Sequence, residues 1–337
     1  MLALDRYQLD LKAPLHLGTR GVGLEKTAMT IRSDTLFSAL CVGIAATHGA
    51  AVVDDLIEWF QNGLPPFLLS STFPWAGELF LLPRPRLART TGPAARARWV
   101  SWTRFEQLLA ADQQTLSADA SHVLGDDQVW LAETDLDRVV PVWPWWTEST
   151  VARVTLDRVT NASQIYHCSR LSFAPSAGLY FLIEWRERSW QSVFDEAIDY
   201  LAEAGLGGER SAGHGQFQVR SVERVQLAEP VDGQTAVTLS LYHPTSAEIA
   251  GGALGDGAAY DLELRGGWLA GPADGGLWRR SVRMLAEGAV IRLQVVPAGD
   301  LVSVAPVGYR AHPVYRYGIA LTARAKAALI EEGERGH

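Results

Sequence analysis

The order in which strand-like and helix-like segments follow one another is the feature that most limits the folds open to this chain. Apolar and polar residues alternate across residues 7–15, which predicts a half-buried strand, and a helix with a broad apolar face is indicated over 33–47. Two strands from the middle of the chain follow, and then an amphipathic helix at 189–204 and a strand at 216–225. This is the βαββαβ order of the ferredoxin-like unit.

A long, irregular segment lies inside that unit. We interpret residues 67–172 as an insertion, because the apolar runs there are short and follow no steady period. Within it, residues 151–159 and 165–173 are predicted to pair as a β-hairpin that carries Arg153 and Arg158. The insertion therefore adds a hairpin to the predicted unit.

The second half of the chain has a different pattern. A polar linker separates a predicted first domain, 1–228, from a second, 233–337. The second is strand-heavy, with 319–321 among its predicted strands, and only 246–250 and the tail from Thr322 are predicted to be helical. The fold class predicted is α+β, and the second domain is compatible with a degenerate copy of the same ferredoxin-like unit.

Composition excludes several classes of protein. The chain has 337 residues, 47% of them apolar, and a formal net charge of -8, which rules out disorder, collagen and a disulfide scaffold. Its longest apolar run, 36–46, is too short to span a bilayer, and its first residues lack the unbroken apolar core of a signal peptide. We therefore expect a cytoplasmic protein with no membrane partner.

One segment of the chain is positively charged although the net charge of the chain is negative. Residues 79–105 carry six arginines and no Asp or Glu, interleaved with proline and tryptophan. Arginine beside aromatic residues suits phosphates and stacked bases, although a solvated loop or a protein interface fits the same composition equally well.

A glycine-rich stretch, GGERSAGHGQF at 207–217, lies between the predicted helix and the last predicted strand of the first domain. Glycine stabilises neither element, so its concentration needs another reason. Either backbone amides approach a phosphate chain, with Arg210 and Ser211 as further donors, or the glycines only end the helix and form a turn. The stretch follows a helix, which distinguishes it from the nucleotide-binding glycine motifs that open one.

The sequence offers no catalytic residue, metal site or cofactor site. Neither Gly-x-Ser-x-Gly nor HExxH occurs, and no two histidines stand at metal-ligand spacing. One alternative stays open, a metal-independent ribonuclease in which His214 acts as general base on a ribose hydroxyl. A second is a scaffold that binds only proteins, through the tryptophans Trp143, Trp145 and Trp146, which we expect to be exposed.

Seven short segments, taken in order, carry a resemblance to a known family. They are SDTLFSALC at 33–41, FPW at 73–75 with LPRP at 82–85, LDRVT at 156–160, GGERSAGHGQF at 207–217, LSLYHPT at 239–245 and HPVYRYG at 312–318. In this combination the chain resembles the type III-A CRISPR RAMP proteins, and within them the subunit of the Csm effector complex that caps the 5′ tag of the guide RNA (crRNA). The resemblance extends from about residue 7 to residue 317.

The resemblance implies two ferredoxin-like (RRM-like) RAMP domains, a β-hairpin thumb in the first, and no catalytic centre. It also implies three partners: the crRNA 5′ tag, a large polymerase-like subunit and a backbone RAMP subunit. The RNA-binding residues that it implies lie in the glycine-rich loop, in the thumb and in the loop after the first strand. They are Gly207, Gly208, Arg210, Ser211, Gly213, His214 and Gly215; Arg153 and Arg158; and His16, Arg20 and Lys26.

Overall fold

A computed structural model of the chain describes residues 1–18, 25–87, 89–111, 115–117, 119–125, 128–156, 163–231, 235–269, 276–293 and 295–326. Its α-helices are α1 (Ser33–His48), α2 (Ala50–Gln61), α3 (Trp102–Ala110), α4 (Gln191–Ala204) and α5 (Ser246–Ala250). Its strands are β1 (Leu2–Leu11), β2 (Phe67–Leu69), β3 (Phe73–Ala76), β4 (Leu79–Pro83), β5 (Arg89–Thr91), β6 (Trp99–Ser101), β7 (Thr115–Ser117), β8 (Val123–Leu124), β9 (Val129–Trp130), β10 (Trp146–Leu156), β11 (Ser163–Phe173), β12 (Ala177–Trp185), β13 (Phe217–Leu227), β14 (Thr235–Thr238), β15 (Leu262–Arg265), β16 (Val282–Leu285), β17 (Val290–Arg292), β18 (Leu301–Ser303), β19 (Tyr315–Tyr317) and β20 (Thr322–Ala325).

One large sheet organises the first two thirds of the chain. Its strand order within the described residues is β13-β1-β12-β3-β4-β6-β9-β8, and β2 also pairs with β12. The segment from residue 67 onward thus contributes strands to the same sheet as the first and last strands of the predicted unit. The chain is a mixed α+β protein, as predicted.

Helices α1 and α4 pack closely together. Each presents an apolar face at helical spacing, with Leu36 and Leu40 buried on α1 and Phe194 and Ile198 buried on α4. The approach is close enough that a Cβ atom on Gly43 would lie 2.8 Å from a backbone oxygen of α4. The helices predicted at 33–47 and 189–204 are both confirmed.

The predicted hairpin is confirmed as the pair β10 and β11. The two strands run antiparallel in one continuous register, from Trp146 opposite Phe173 to Leu156 opposite Ser163. The residues that join them lie outside the described residues. No other strand joins this pair within the described part of the chain, so it forms a two-stranded sheet of its own.

The first strand was predicted at 7–15 but lies at Leu2–Leu11. It pairs with β13 along its whole length, and that ladder ends where Leu11 meets Phe217. Pro14 has no amide hydrogen to continue the ladder. The prediction extended the strand too far because the alternation of residue types continues past the end of its partner.

The C-terminal part is built of short strands, in three small sheets with the orders β17-β14-β20, β15-β16 and β18-β19 within the described residues. The strand predicted at 319–321 is wrong, because residues on both sides of it form β19 and β20 instead. The helical prediction from Thr322 is also wrong over Thr322–Ala325, which pairs with β14. Helix α5 is confirmed.

The three tryptophans expected to be exposed do not share one environment. Trp143 is 45% exposed, whereas Trp145 is 1% exposed and belongs to the main core. Trp146 is partly buried and packs against that core. The scaffold alternative was based on three exposed tryptophans, and that prediction is wrong for Trp145.

None of the described helices is long and apolar enough to cross a membrane.

Candidate RNA-binding site

The glycine-rich loop is fastened at its base to the segment that follows β1. The amide of Gly208 donates to the His16 carbonyl at 2.8 Å, and the amide of Gly215 donates to the Pro14 carbonyl at 2.9 Å. The two arms of the loop also join each other, because the Leu206 amide donates to the Gly215 carbonyl at 2.9 Å. The base of the loop is therefore part of the folded framework.

Two of the glycines are required by close packing. A Cβ atom on Gly215 would lie 1.9 Å from the Leu206 carbonyl oxygen, and one on Gly207 would lie 2.5 Å from the His16 carbonyl oxygen. Both residues also have positive φ angles, of 79° and 87°. The structural interpretation of the glycines thus holds at the base of the loop.

The tip of the loop is accessible. Residues Arg210–Ala212 form a single 3₁₀ turn, and Arg210, Ser211 and Gly213 are exposed. A Cβ atom on Gly213 would have no heavy atom within 4 Å. The tip can therefore meet a ligand, although the base cannot.

Arg153 on β10 is bound to this loop. Its Nη1 lies 3.0 Å from Glu209 Oε2, and its Nη2 donates to His214 Nε2 at 2.9 Å. This contact assigns the ring proton of His214 to Nδ1, which is buried without a hydrogen-bond partner in the described structure. Arg153 thus holds the loop against the hairpin.

His214 is 4% exposed, and its pKa is lowered by burial and by the positive charge of Arg153. The ring is therefore held in its neutral form. A general base must reach the proton that it removes, and this ring lies beneath the surface of the loop. The environment of His214 does not favour the ribonuclease alternative.

The remaining predicted residues fall into three groups. His16 is 2% exposed, its Nδ1 lies 2.6 Å from the Ser169 carbonyl oxygen, and Cys168 Sγ lies 3.8 Å away. Lys26 is exposed. Arg20 and Arg158 lie outside the described residues. The structure thus brings Arg153, His16 and the glycine-rich loop together, and contacts of all these residues with RNA stay predictions.

A cavity of about 780 Å³ opens beside the loop. Gly207, Gly208 and Arg210 form one part of its wall, and α1 forms another part through Ser38 and Val42. Trp146 at the start of β10 adds an aromatic surface. The charged lining is five arginines against two glutamates: Arg32, Arg98, Arg210, Arg265 and Arg279, with Glu148 and Glu263.

Asp34, in the first turn of α1, anchors part of this cluster. Its carboxylate accepts hydrogen bonds from Arg265 at 2.9 Å and from Arg316. Burial alone would raise the pKa of Asp34, but these two arginines lower it to about 2. The carboxylate is therefore ionised, and it balances only part of the positive charge around it.

Arg32 is held in a similar way. It forms ion pairs with Glu263, at 2.6 Å, and with Glu287. Its pKa is nevertheless lowered to about 10, by burial and by the neighbouring charge of Arg98. The cavity is therefore an electropositive site with an aromatic wall, a combination that suits a single nucleic-acid strand.

Sequence reasoning found the glycine-rich loop and the arginine-rich segment that contains Arg98, but it missed Arg32, Arg265 and Arg279. Arg265 ends β15 and Arg279 follows a glycine-rich stretch, and no local pattern in the sequence marks either residue. Only the pairing of β15 with β16 and their contact with α1 bring them to the cavity.

No cluster of three or more His, Cys, Asp or Glu suited to a metal ion occurs among the described residues.

The chain is similar in sequence to known proteins. Residues 231–324 match a family model described as the CRISPR Csm4 C-terminal domain. A curated relative named CRISPR system Cms protein Csm4, from Thermococcus onnurineus (strain NA1), is 28% identical over 296 residues, which are 86% of this chain and 89% of the relative. The chain is therefore similar to Csm4 proteins.

Solved structures share the fold of this chain. The Csm3-Csm4 subcomplex of a type III-A CRISPR-Cas interference complex matches with a TM-score of 0.65 and 16% identity, over 96% of this chain and 99% of that chain. A Csm1-Csm4 cassette in complex with cA4 matches with a TM-score of 0.58 and 20% identity, over 96% of this chain and 98% of that chain. At these identities the two structures bear on the fold alone.

Proposed function

We propose that this chain is a non-catalytic subunit of a type III-A CRISPR interference complex that binds and caps the 5′ tag of the crRNA. The observation that carries the proposal is the cavity beside the glycine-rich loop, with its five arginines, two glutamates and one tryptophan. Arginine forks bind phosphate oxygens and tryptophan stacks on bases. The net charge of -8 does not oppose the proposal, because five arginines are gathered at the cavity.

We further propose that the chain links the large polymerase-like subunit to the backbone RAMP subunit. The support is that structural relatives were solved as Csm1-Csm4 and Csm3-Csm4 assemblies. Copurification of both subunits with this chain after nuclease treatment tests the proposal, and loss of both would contradict it.

The same proposal includes a division of the chain into two ferredoxin-like domains. They are residues 1–228 and 233–337, with β10 and β11 as the thumb of the first. The order β13-β1-β12-β3 at one end of the main sheet, with α1 and α4 packed together, supports the first domain. A cytoplasmic location follows from the proposed role in guide-RNA interference.

The test of RNA binding begins with the RNA that copurifies with the chain. We expect short RNAs of varied sequence that share one 5′ end. A synthetic single-stranded RNA with that 5′ end should bind Arg210→Glu about tenfold more weakly than the unchanged protein, because a charge at the exposed tip is reversed. The slope of log affinity against log salt should fall in magnitude by about 0.7 per lost phosphate contact.

Arg224→Glu is the matched control, because Arg224 is exposed on β13 and does not line the cavity. Equal losses in the two variants, or no binding by the unchanged protein alone and in its complex, would contradict the proposal. The same RNA incubated with the protein in chelator should stay intact. Cleavage that His214→Ala abolishes would favour the ribonuclease alternative instead.

A further inference from the structure

Three of the five arginines in the cavity lack a carboxylate partner among the described residues: Arg210 at the exposed tip of the loop, and Arg98 and Arg279 elsewhere on the wall. Arg32 pairs with Glu263, and Arg265 pairs with Asp34. By contrast, neither Arg98 nor Arg279 makes a side-chain hydrogen bond or ion pair to any residue that the structure describes, and Arg279 Nε is buried without a partner. Each therefore has donors available to a ligand in the cavity.

The surroundings of Arg279 make its charge costly in the free protein. Its pKa is lowered to about 10, by burial and then by the charge of Arg316, with Arg265 adding to the effect. Asp34 opposes this shift, but it is already bound to Arg265 and Arg316. Arg279 is partly buried, and a partly buried cation beside other cations lowers the stability of the fold unless an anion joins them.

The position of the two arginines indicates what that anion is. Both line the same cavity as the glycine-rich loop and Trp146, and its volume of about 780 Å³ is within the range of sites that enclose a small ligand such as a nucleotide. Arg98 additionally lies over Trp99, with its Cζ 5.2 Å from the ring centroid. The planar guanidinium can bind two phosphate oxygens at once.

We propose that Arg98 and Arg279 bind backbone phosphates of the RNA strand in this cavity, and that Trp146 stacks on an adjacent base. This inference rests on the proposed function. It adds two phosphate-binding residues, Arg98 from the first half of the chain and Arg279 from the second. It also has a consequence that a purely structural arginine does not have. Arg279 should lower the stability of the RNA-free protein while it raises the affinity for RNA.

The experiment compares Arg279→Gln with the unchanged protein in RNA binding and in thermal unfolding. We expect the affinity for the single-stranded RNA to fall about tenfold at low salt, with a salt dependence weaker by about 0.7. We expect the Tm of the RNA-free variant to rise by about 1–3 °C, since a repulsive charge is removed. Inorganic phosphate should raise the Tm of the unchanged protein above its value in chloride at equal ionic strength, and should do so less in the variant.

Arg283→Gln is the control, because Arg283 is exposed on the same hairpin, opposite Leu264, and does not line the cavity. It removes the same charge and should change neither affinity nor Tm by a comparable amount. If Arg279→Gln binds RNA as tightly as the unchanged protein while Arg210→Glu does not, the inference fails and the proposed function stands. A lower Tm in RNA-free Arg279→Gln would make Arg279 structural and would also overturn it.

Two outcomes separate the possible sources of the phosphate. Stabilisation by inorganic phosphate without an effect of Arg279→Gln on RNA affinity would assign the cavity to a free anion, against the inference. Absence of any RNA binding by the unchanged protein, alone and in its complex, would overturn both the inference and the proposed function.

Discussion

At the scale of single residues, the arginines of the site fall into two groups with different roles. Arg153 and Arg265 are bound to carboxylates and hold elements together. Arg98, Arg210 and Arg279 line the cavity without such a partner among the described residues. Residue type alone cannot separate the groups, because the partner of each bound arginine lies more than 50 positions away in the sequence.

At this scale, the environment of His214 predicts how the stability of the protein depends on pH. The charged and titratable groups that act on it are Arg153, Glu209, Arg170 and His16, and its pKa is lowered chiefly by burial and by Arg153. In the folded protein this ring therefore takes up a proton at a lower pH than in the unfolded chain, where its pKa is about 6.5. Because the unfolded state then binds more protons, the free energy of unfolding should fall as the pH decreases through this range.

Urea unfolding at about pH 7.5 and at about pH 5.5 measures the effect. His214→Gln removes the titrating group, so its stability should decrease less over the same interval than that of the unchanged protein. An equal decrease in both proteins would show that other groups cause the pH dependence.

At the scale of elements, the predictions succeeded where a local pattern agreed with the tertiary environment. Helices α1 and α4 have periods that match their buried faces, and the β10–β11 hairpin pairs in one register although Val154 and Ile165 on it are exposed. The prediction failed at Thr322–Ala325, where alanine favours a helix but pairing with β14 buries Ala323 and Ala325 in a strand. The cavity was only half predicted, because its C-terminal arginines approach α1 through tertiary contacts that leave no local signal.

Asp34 joins α1 to β15 and β19 through Arg265 and Arg316, so its replacement should lower the stability of the protein. Asp34→Asn removes the negative charge and leaves both arginines buried without compensation. We expect the free energy of unfolding to fall by about 3–5 kcal/mol, measured by denaturant titration. Glu223→Gln, which breaks the more exposed pair with Arg6, should cost at most about 1 kcal/mol. Similar losses in the two variants would contradict the role of Asp34.

At the scale of the whole molecule, the main hydrophobic cluster extends through both proposed domains, although the C-terminal part also has two smaller clusters of its own. The main cluster of buried side chains includes Leu179 and Phe181 of the large sheet together with Val237, Val290 and Leu321 of the C-terminal part. A polar linker in the sequence therefore does not divide the interior. The cavity depends on this union, since its arginines come from both parts.

Tyr317 belongs to this shared core. It is fully buried, its ring stacks on Phe37 with centroids 5.0 Å apart, and its hydroxyl oxygen accepts a hydrogen bond from the Leu69 amide at 2.9 Å. Tyr317→Ala removes an aromatic ring of the C-terminal part from contacts with α1 and β2. We expect it to lower the free energy of unfolding by about 3–5 kcal/mol, whereas Tyr260→Ala, at a residue 38% exposed, should cost less than about 1 kcal/mol.

The number of thermal unfolding transitions tests whether the two parts of the molecule unfold together. If both parts unfold together, calorimetry of Tyr317→Ala should show one transition at a lower temperature, because a loss in the shared core weakens both parts equally. Two separated transitions, with only the C-terminal one shifted, would mean that the parts are stable independently. The cavity would then sit between bodies free to move apart, and its arginines would need the RNA itself to hold them in place.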